Sequence, residues 1–428
     1  MRRSRLVTGL PFYYGWIILF AGVMGAIMSS PGQTYSVSIF IEHWIRDLGT
    51  NRATVSTLYM MGTLTAGLTM PFVGRQIDER GPRVVVVVVT MLFALACVYV
   101  SFVQNVVMLG IGFLFIRMLG QGSMTIVSGN ILNQWWVRRR GLILSIAGVL
   151  MSLFGSGSFP MLIHMLIERF GWRSSYRILG LAIVTIMLPV GQLFYKRRPE
   201  DYGLLPDGAK PLPTEASAGD EQAATAGESA FIEENWTSRE AVRTKAFWII
   251  GLGLGSISML GTGLQFHMVS IFADAGLAIG IAAGAFMKVA LTGALVRIAS
   301  GVLLDRIPVR LLLFAALLGQ TASLLIAPRL SASTAWVYLT VLGVTGSLQM
   351  TVSAVIWAKY FGRKHLGSIT GVAALLNVGG SALGPMPMGI ARDMFGSYNL
   401  GLTVLAVLPF TLGIVVLFSQ RPRRTRVA

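Results

Sequence analysis

Apolar residues are grouped along this chain into twelve stretches, separated by short polar segments. A helix of about 20 apolar residues crosses the roughly 30 Å hydrocarbon core of a bilayer, and backbone groups in lipid must hydrogen-bond within the structure. Each stretch therefore predicts a transmembrane helix, and the whole pattern predicts an all-α integral membrane protein. In chain order they are spans 1 to 12, near residues 12–30, 53–73, 84–103, 106–127, 141–163, 175–195, 246–272, 279–304, 309–328, 334–357, 366–389 and 398–418.

The first six spans and the last six spans carry matching segments. QTYSVSIF at 33–40 recurs as QFHMVSIF at 265–272, and GRQIDERGPR at 74–83 parallels GVLLDRIPVR at 301–310. Two related six-helix halves joined by a loop are typical of carriers that work by alternating access. We therefore predict two pseudo-symmetric six-helix bundles, residues 1–195 and 246–428, joined by a cytoplasmic central loop at 196–245.

The composition, 54% hydrophobic and 12% charged, excludes an ordinary soluble protein. The central loop holds ten of the 18 acidic residues and is rich in Ala, Gly, Pro and Ser, which predicts a flexible linker. The other acids are placed in loops or at helix ends, so none is expected in the middle of the membrane. That distribution limits how protons are coupled to any transport.

The net charge of +17 would suggest a nucleic-acid partner in a soluble chain. Here 25 of the 35 Lys and Arg residues lie on the side that holds both termini, seven lie on the opposite side and three lie within spans. By the positive-inside rule both termini are expected to be cytoplasmic, in a multi-pass protein of the inner (plasma) membrane. The excess of basic residues is therefore explained by the orientation of the chain in the membrane, and we expect no nucleic acid to bind.

Known enzyme motifs are missing from the sequence. The lone Cys97 lies in the apolar span 3, and no P-loop, zinc spacing or trio of nucleophile, base and orienting group appears. We therefore expect no enzymatic activity, no cofactor and no metal, and a protein that works as a monomer in the lipid bilayer.

Arg297 is the clearest pointer to function, because residues 283–304 around it are otherwise apolar apart from one lysine and two small hydroxyl side chains. A guanidinium stays protonated at biological pH, and at this depth it costs roughly 2.5 to 3.5 kcal/mol unless it faces water or an anion. Gly293 and Gly301, one turn away on either side, are expected to clear space around it. The pattern favours a cavity wall that binds an anion over a structural arginine near Asp305.

Two further cations lie within spans. Lys288 is nine residues before Arg297, about 13.5 Å along an ideal helix and half a turn out of phase, so the two are not expected to share one ligand. Lys288 either snorkels to the extracellular surface or attracts anions along an entry path. Arg117, with Gln121 one turn away, is expected to hold span 4 against span 1; as a second cation at the cavity it would suit a dicarboxylate.

Spans 1 and 7 are interrupted by Pro or Gly at corresponding points, in SSPGQTY at 29–35 and GTGLQFH at 261–267. Paired broken helices point to the binding site of a carrier. The polar residues nominated as lining the cavity are Gln33, Tyr35, Gln265, His267 and, in span 11, Asn377. The alternative for each is a hydrogen bond between helices. His267 is also the titratable group best placed to carry a proton, since no acid is expected nearby.

The loop after span 2 resembles the loop signature of the major facilitator superfamily, and a weaker copy follows span 8. The resemblance covers the whole chain and implies the fold of that superfamily, with these loops latching the cytoplasmic side when the cavity opens outward. The matching positions are Gly74, Asp78, Arg80 and Arg83 in the first copy and Gly301, Asp305 and Arg306 in the second. The stretch FIRMLGQG, which contains Arg117, also resembles the superfamily's helix 4 signature.

Within that superfamily, RPEDYGLLPDG at 198–208, TSREAVRTKAFW at 237–248 and the position of Arg297 look like the monocarboxylate porter and oxalate/formate antiporter group. The resemblance implies that Arg297 pairs with the substrate carboxylate. There are two departures: Gly293 stands where proton-coupled monocarboxylate carriers have an aspartate, and 366–389 lacks the lysine of oxalate/formate exchangers.

These features together predict a secondary active transporter of small organic anions, either monocarboxylates such as lactate or formate or short dicarboxylates such as oxalate. A proton or a counter-transported anion would be the coupled solute. Two alternatives stay open at this point: a drug or lipophile efflux carrier of the same superfamily, and a membrane sensor or scaffold that transports nothing.

Overall fold

The computed structural model describes residues 7, 11–136, 139–208, 236–303, 307–362 and 366–422. These residues are helical apart from short turns, and they contain no strand. The helices run back and forth between two ends of the molecule. The end where span 1 begins and span 12 finishes is called the terminal end, and the other is called the distal end.

The first half contains spans 1 to 6. Span 1 is longer than predicted, because a second helix continues to Leu48 after a short 3-10 turn at Ser30–Gly32. Spans 4 and 5 each contain a π-helical segment, and spans 5 and 6 follow one another with only Gly171 breaking the helix. The helices are Gly15–Met28, Thr34–Leu48, Arg52–Arg80, Pro82–Ser101, Val106–Ile116, Thr125–Trp135, Arg140–Leu150 and Phe159–Phe194, with π segments at Arg117–Met124 and Met151–Gly157.

The second half contains spans 7 to 12. Span 7 breaks at His267, close to the point that corresponds to the break in span 1. A short helix, Ser238–Val242, precedes it and begins with a capping box in which Thr237 and Glu240 satisfy each other's backbone N–H groups. The helices are Lys245–Phe266, Met268–Asp274, Ile279–Leu303, Val309–Ile326, Ala335–Phe361, Leu366–Leu383, Pro385–Phe395 and Asn399–Leu417.

Ten helical stretches among the described residues are long and apolar enough to cross a membrane. One of them, Leu142–Phe194, contains both span 5 and span 6. Span 2 is the remaining one of the twelve predicted; it forms a helix, Arg52–Arg80, whose many Thr, Ser and Gly residues make it less apolar. Among its small residues, Gly62 packs against span 4 and Ser56 packs against Gly389 of span 11.

The two halves pack together from the distal end to the middle of the molecule. Span 2 contacts both helices of span 11, the π segment of span 5 contacts span 8, and the second helix of span 1 contacts span 7. One buried apolar cluster accordingly includes residues of both halves, whereas a second cluster belongs to the second half alone. Among the described residues, most contacts between the halves therefore lie at the distal end and in the middle of the molecule.

Candidate functional site

Arg297 lies where span 8 meets span 5 and span 10. Its Nη2 is 3.8 Å from the Sδ atom of Met350, and a Cβ added to Gly148 of the other half would lie 2.7 Å from its Nη1. The side chain is half-buried, and Met350 beside it is 64% exposed. The guanidinium is thus placed between the two halves with part of its surface open, rather than enclosed by its own helix.

Gly293 does not clear space around Arg297, which corrects the expectation from the sequence. It packs against span 10, where the Ser347 hydroxyl donates to the Gly293 carbonyl at 2.7 Å. A Cβ at Gly293 would meet that hydroxyl oxygen at 2.9 Å. The glycine that leaves room for the guanidinium is instead Gly148, in the opposite half.

The break in span 1 brings Gln33 and Tyr35 against neighbouring helices. Gln33 is half-buried and donates through Nε2 to Ser29 at 3.0 Å and to Thr125 of span 4 at 3.3 Å. Tyr35 is buried, and its hydroxyl lies 2.9 Å from that of Ser30. Both side chains therefore make hydrogen bonds between or within helices, and Gln33 keeps an exposed portion.

Arg117 is 1% exposed and binds across the first half. Its Nε donates to Thr63 of span 2 and its Nη1 to the carbonyl of Gly32 in the break of span 1, both at 2.9 Å. The guanidinium carbon lies 4.5 Å from the centre of the Tyr59 ring. Arg117 thus joins span 4 to spans 1 and 2, while its Nη2 has no hydrogen-bond partner among the described residues.

Gln265 lines a cavity of about 110 Å³ between spans 7, 9 and 10. The other polar side chains of this cavity are Ser258, Thr262, Gln320 and Gln349. Gln320 is 1% exposed, and its amide nitrogen has no hydrogen-bond partner within the described part of the chain. The cavity therefore offers neutral hydrogen-bonding groups to water or to a polar part of a ligand.

Asn377 lies apart from Gln265. It lines a different cavity, also of about 110 Å³, with Ser353, Trp357 and Thr370. Its backbone carbonyl accepts a hydrogen bond from Ser258 at 3.0 Å, which ties span 11 to span 7.

His267 is fully buried rather than exposed at a cavity wall. Its Nε2 lies 2.9 Å from the Pro385 carbonyl oxygen, which can only accept, so Nε2 carries the hydrogen in the neutral ring. Nδ1 then accepts from the Tyr398 hydroxyl at 3.0 Å, and the Ser56 hydroxyl of the first half lies 3.4 Å from Nε2. His267 thus fastens the broken helix of span 7 to spans 11 and 12.

Lys288 is directed away from Arg297. Its Nζ lies 3.6 Å from the centre of the Trp336 ring on span 10, and Trp336 is 59% exposed. The two cations of span 8 therefore face different surroundings, as their spacing predicts.

The signature loop after span 2 lies at the terminal end. The helix of span 2 ends at Arg80, and Gly81 turns the chain with a φ of 84°, a value that favours glycine, before Pro82 begins span 3. Arg80 and Arg83 are exposed, and Gly74 has open space around it. Burial, followed by repulsion from Arg83, lowers the pKa of Lys196 at the start of the central loop.

The second copy of the signature is described only in part. Gly301 belongs to the helix of span 8. Asp305 and Arg306 lie outside the described residues, as does the side chain of Asp78.

Glu42 is a site residue that was not expected from the sequence, because span 1 was predicted to end near residue 30. Glu42 lies within the helix Thr34–Leu48 and accepts two hydrogen bonds of 2.8 Å from Arg52 and another from Ser270 of the second half. The repeat contained the signal, since Glu42 and Asp274 follow the two VSIF strings at the same distance. Both carboxylates lie at the distal end, where the two halves contact each other.

The family model described as Major Facilitator Superfamily matches residues 16–385. The chain belongs to the major facilitator superfamily. The helical fold and this match make it a multi-pass membrane transporter, and not an enzyme. No curated protein sequence matches the chain.

Two solved structures of a bacterial homologue of the human lysosomal transporter Spinster resemble this facilitator. The inward-facing, unoccupied form is 15% identical, with a TM-score of 0.66 over 94% of this chain and 95% of that one. The inward-facing, occupied form is 14% identical, with a TM-score of 0.62 over 95% of each chain. At 14 to 15% sequence identity, this similarity establishes a shared fold alone.

Proposed function

We propose that this facilitator carries small organic anions, monocarboxylates such as lactate or formate or short dicarboxylates such as oxalate, through a site at Arg297. The observation that carries the proposal is the half-buried guanidinium placed between the two halves and beside Gly148. A charge held at this depth is most stable when it faces water or an anion. The planar fork of arginine binds a carboxylate through two parallel hydrogen bonds.

The site also lies where movement between the halves would change it. Arg297 belongs to the second half and Gly148 to the first, so rocking of one half against the other alters the space around the guanidinium. A bound anion favours a given arrangement only by as much as it binds that arrangement more tightly. With both termini in the cytoplasm of a bacterial-type cell, the described conformation would take up solute from the cytoplasmic side.

The polar cavity beside Gln265 supports a substrate with hydrogen-bonding groups. Gly346 lines this cavity, and Met350, one turn further along span 10, contacts Arg297. Residues four apart lie on one face of a helix, so cavity and cation are neighbours along span 10. A proton or a second anion is the proposed coupled solute, and the protein is proposed to act as a monomer.

A flux measurement in proteoliposomes tests the proposal. Radiolabelled lactate, formate and oxalate are each offered to the wild type, to Arg297→Ala and to Arg310→Ala, which removes an exposed arginine at the terminal end. We expect saturable counterflow of at least one acid, lost in Arg297→Ala and kept in Arg310→Ala. No flux of any acid in the wild type, or undiminished flux in Arg297→Ala, contradicts the proposal.

A carrier of lipophilic molecules is the second candidate, and one observation favours it. A cavity of about 420 Å³ between spans 2, 4 and 11 is lined mainly by apolar side chains. Saturable export of a lipophilic cation, together with no flux of the three acids, would favour this candidate. A sensor or scaffold would bind a solute without counterflow.

A further inference from the structure

The cavity between spans 2, 4 and 11 combines an apolar wall with a buried cation. Leu64, Leu68, Leu375 and Val378 are among the apolar residues that line it, and Arg117 is one of its polar residues. Its volume of about 420 Å³ falls in the range of small-molecule sites. Because spans 2 and 4 belong to the first half and span 11 to the second, a ligand here would contact both halves.

The charge of Arg117 is not balanced by any carboxylate among the described residues. Its partners in the described residues are a hydroxyl, a backbone carbonyl and an aromatic ring, all neutral. The Nη2 group is buried and makes no hydrogen bond within the part of the chain that the structure describes. A buried N–H group of a cation without an acceptor is unfavourable, so an acceptor that bears negative charge would stabilise it.

The π-helical segment of span 4 places a second polar group at the same wall. Gln121 lies one turn after Arg117, lines the cavity, and has a buried Oε1 without a partner in the described residues. Wide helical turns of this kind often occur at functional sites. Two polar groups with unused hydrogen-bonding capacity thus share one wall of an otherwise apolar cavity.

From this arrangement we propose that the cavity binds an amphipathic monoanion, an alkyl carboxylate whose head meets Arg117 and Gln121 and whose chain packs on spans 2 and 11. One Nη2 group offers room for one carboxylate, and the leucines and valine match a hydrocarbon chain. The site is distinct from the one at Arg297, and the proposal does not depend on the transport of small acids.

Binding of decanoate to the purified protein in a non-ionic detergent, measured by isothermal titration calorimetry, tests the proposal. Decanol provides the same chain without charge, and acetate provides the charge without the chain. We expect decanoate to bind about tenfold or more tightly than either, as one charge-assisted hydrogen bond allows. Equal affinities for decanoate and decanol would overturn the proposal.

Two variants locate the site. Arg117→Gln removes the charge, and Val378→Phe adds bulk at a 45% exposed position of the cavity wall while Arg117 itself is kept. We expect each to weaken decanoate binding about tenfold, whereas Arg310→Ala leaves it unchanged. Because Arg117→Gln removes contacts that join three spans, Val378→Phe provides the result if that variant does not fold. Undiminished binding in Val378→Phe overturns the proposal.

A bilayer lipid is the other source of an amphipathic anion. The protein is therefore also examined in nanodiscs of phosphatidylglycerol and of phosphatidylcholine. Decanoate binding at similar affinity in both supports the free carboxylate as ligand. Loss of decanoate binding in phosphatidylglycerol alone would assign the cavity to the anionic lipid and overturn the proposal.

Discussion

Glu42 and Asp274 occupy equivalent positions in the two halves, and each is paired with an arginine at the distal end. Arg52 lies 2.8 Å from Glu42, and the Nε of Arg392 lies 2.7 Å from Asp274. Glu42 also accepts from the Ser270 hydroxyl of the second half, so its charge contributes to the contact between halves. Asp393 adds another contact, since it accepts from the backbone N–H of Ala53 at 2.6 Å.

Glu42→Gln should loosen the distal closure. The amide keeps the shape of the side chain but loses the charge that binds Arg52 and Ser270. We expect the contact between the halves at the distal end to be weakened by about 1 kcal/mol, which changes the ratio of the two conformers roughly fivefold. Spin labels at exposed Gln104 and Ser333, one in each half, should report a larger share of long distances. Glu79→Gln, which breaks an exposed pair at the terminal end, serves as the control. An unaltered distance distribution in Glu42→Gln would exclude this role.

Arg297→Lys should lose carboxylate binding although the positive charge is kept. An ammonium group does not reproduce the two parallel hydrogen bonds of a guanidinium, and one charged hydrogen bond corresponds to about 1.5 to 3 kcal/mol. The apparent affinity for lactate is then expected to fall about tenfold or more. The measurement is counterflow at varied lactate concentration. An affinity equal to that of the wild type would show that the two parallel hydrogen bonds of the guanidinium are not needed for binding.

Gly148→Ala should impair transport through the guanidinium of the opposite half. The added Cβ would lie 2.7 Å from the Nη1 of Arg297, and the flexible end of that side chain has to move. Gly129→Ala is a matched control, because a Cβ there meets nothing within 4 Å. We expect similar melting temperatures for both variants and a several-fold lower flux for Gly148→Ala alone. Equal flux would place the substrate away from Arg297.

His267→Phe should lower stability more than it changes substrate affinity. The replacement leaves the Pro385 carbonyl and the Tyr398 hydroxyl without their partner, at a cost of about 1 to 3 kcal/mol. The check combines a thermal unfolding assay with the lactate affinity of the folded fraction, and Tyr398→Phe isolates one of the two bonds. A large loss of affinity at unchanged stability would instead support the cavity-lining role first expected for His267.

Exchange of anions should be faster than net uptake driven by a pH gradient. Among the described residues, Glu42 and Asp274 lie at the distal end and are paired with arginines, so neither is placed at Arg297 to carry a proton with the anion. The comparison is lactate counterflow against uptake with an imposed pH gradient in the same proteoliposomes. Equal rates would show that a proton is carried efficiently despite this arrangement.

The architecture of the protein was predictable from the sequence. Spans 3 and 9, for example, are nearly continuous apolar runs, and such runs have few alternatives to a helix in lipid. The repeat of VSIF at 37–40 and 269–272 indicated two halves, and the structure breaks spans 1 and 7 at corresponding points. The end of span 1 was wrong by 18 residues, because polar groups such as Glu42 were taken as the end of a helix that continues to Leu48.

The candidate site was only partly predictable, because distance along a helix does not say which surface a side chain meets. The sequence alone determined that Arg297 and Arg117 are charges within apolar helices, because the apolar runs around them are visible in the chain. The free-energy cost of burying a cation depends on its depth in the membrane and on its surroundings. Tertiary structure decided that Gly148, from the other half, makes room for Arg297, that Gly293 packs against Ser347, and that Arg117 borders a cavity between three spans. Those relationships arise from the packing of helices far apart in the chain, which a periodicity local to each helix does not encode.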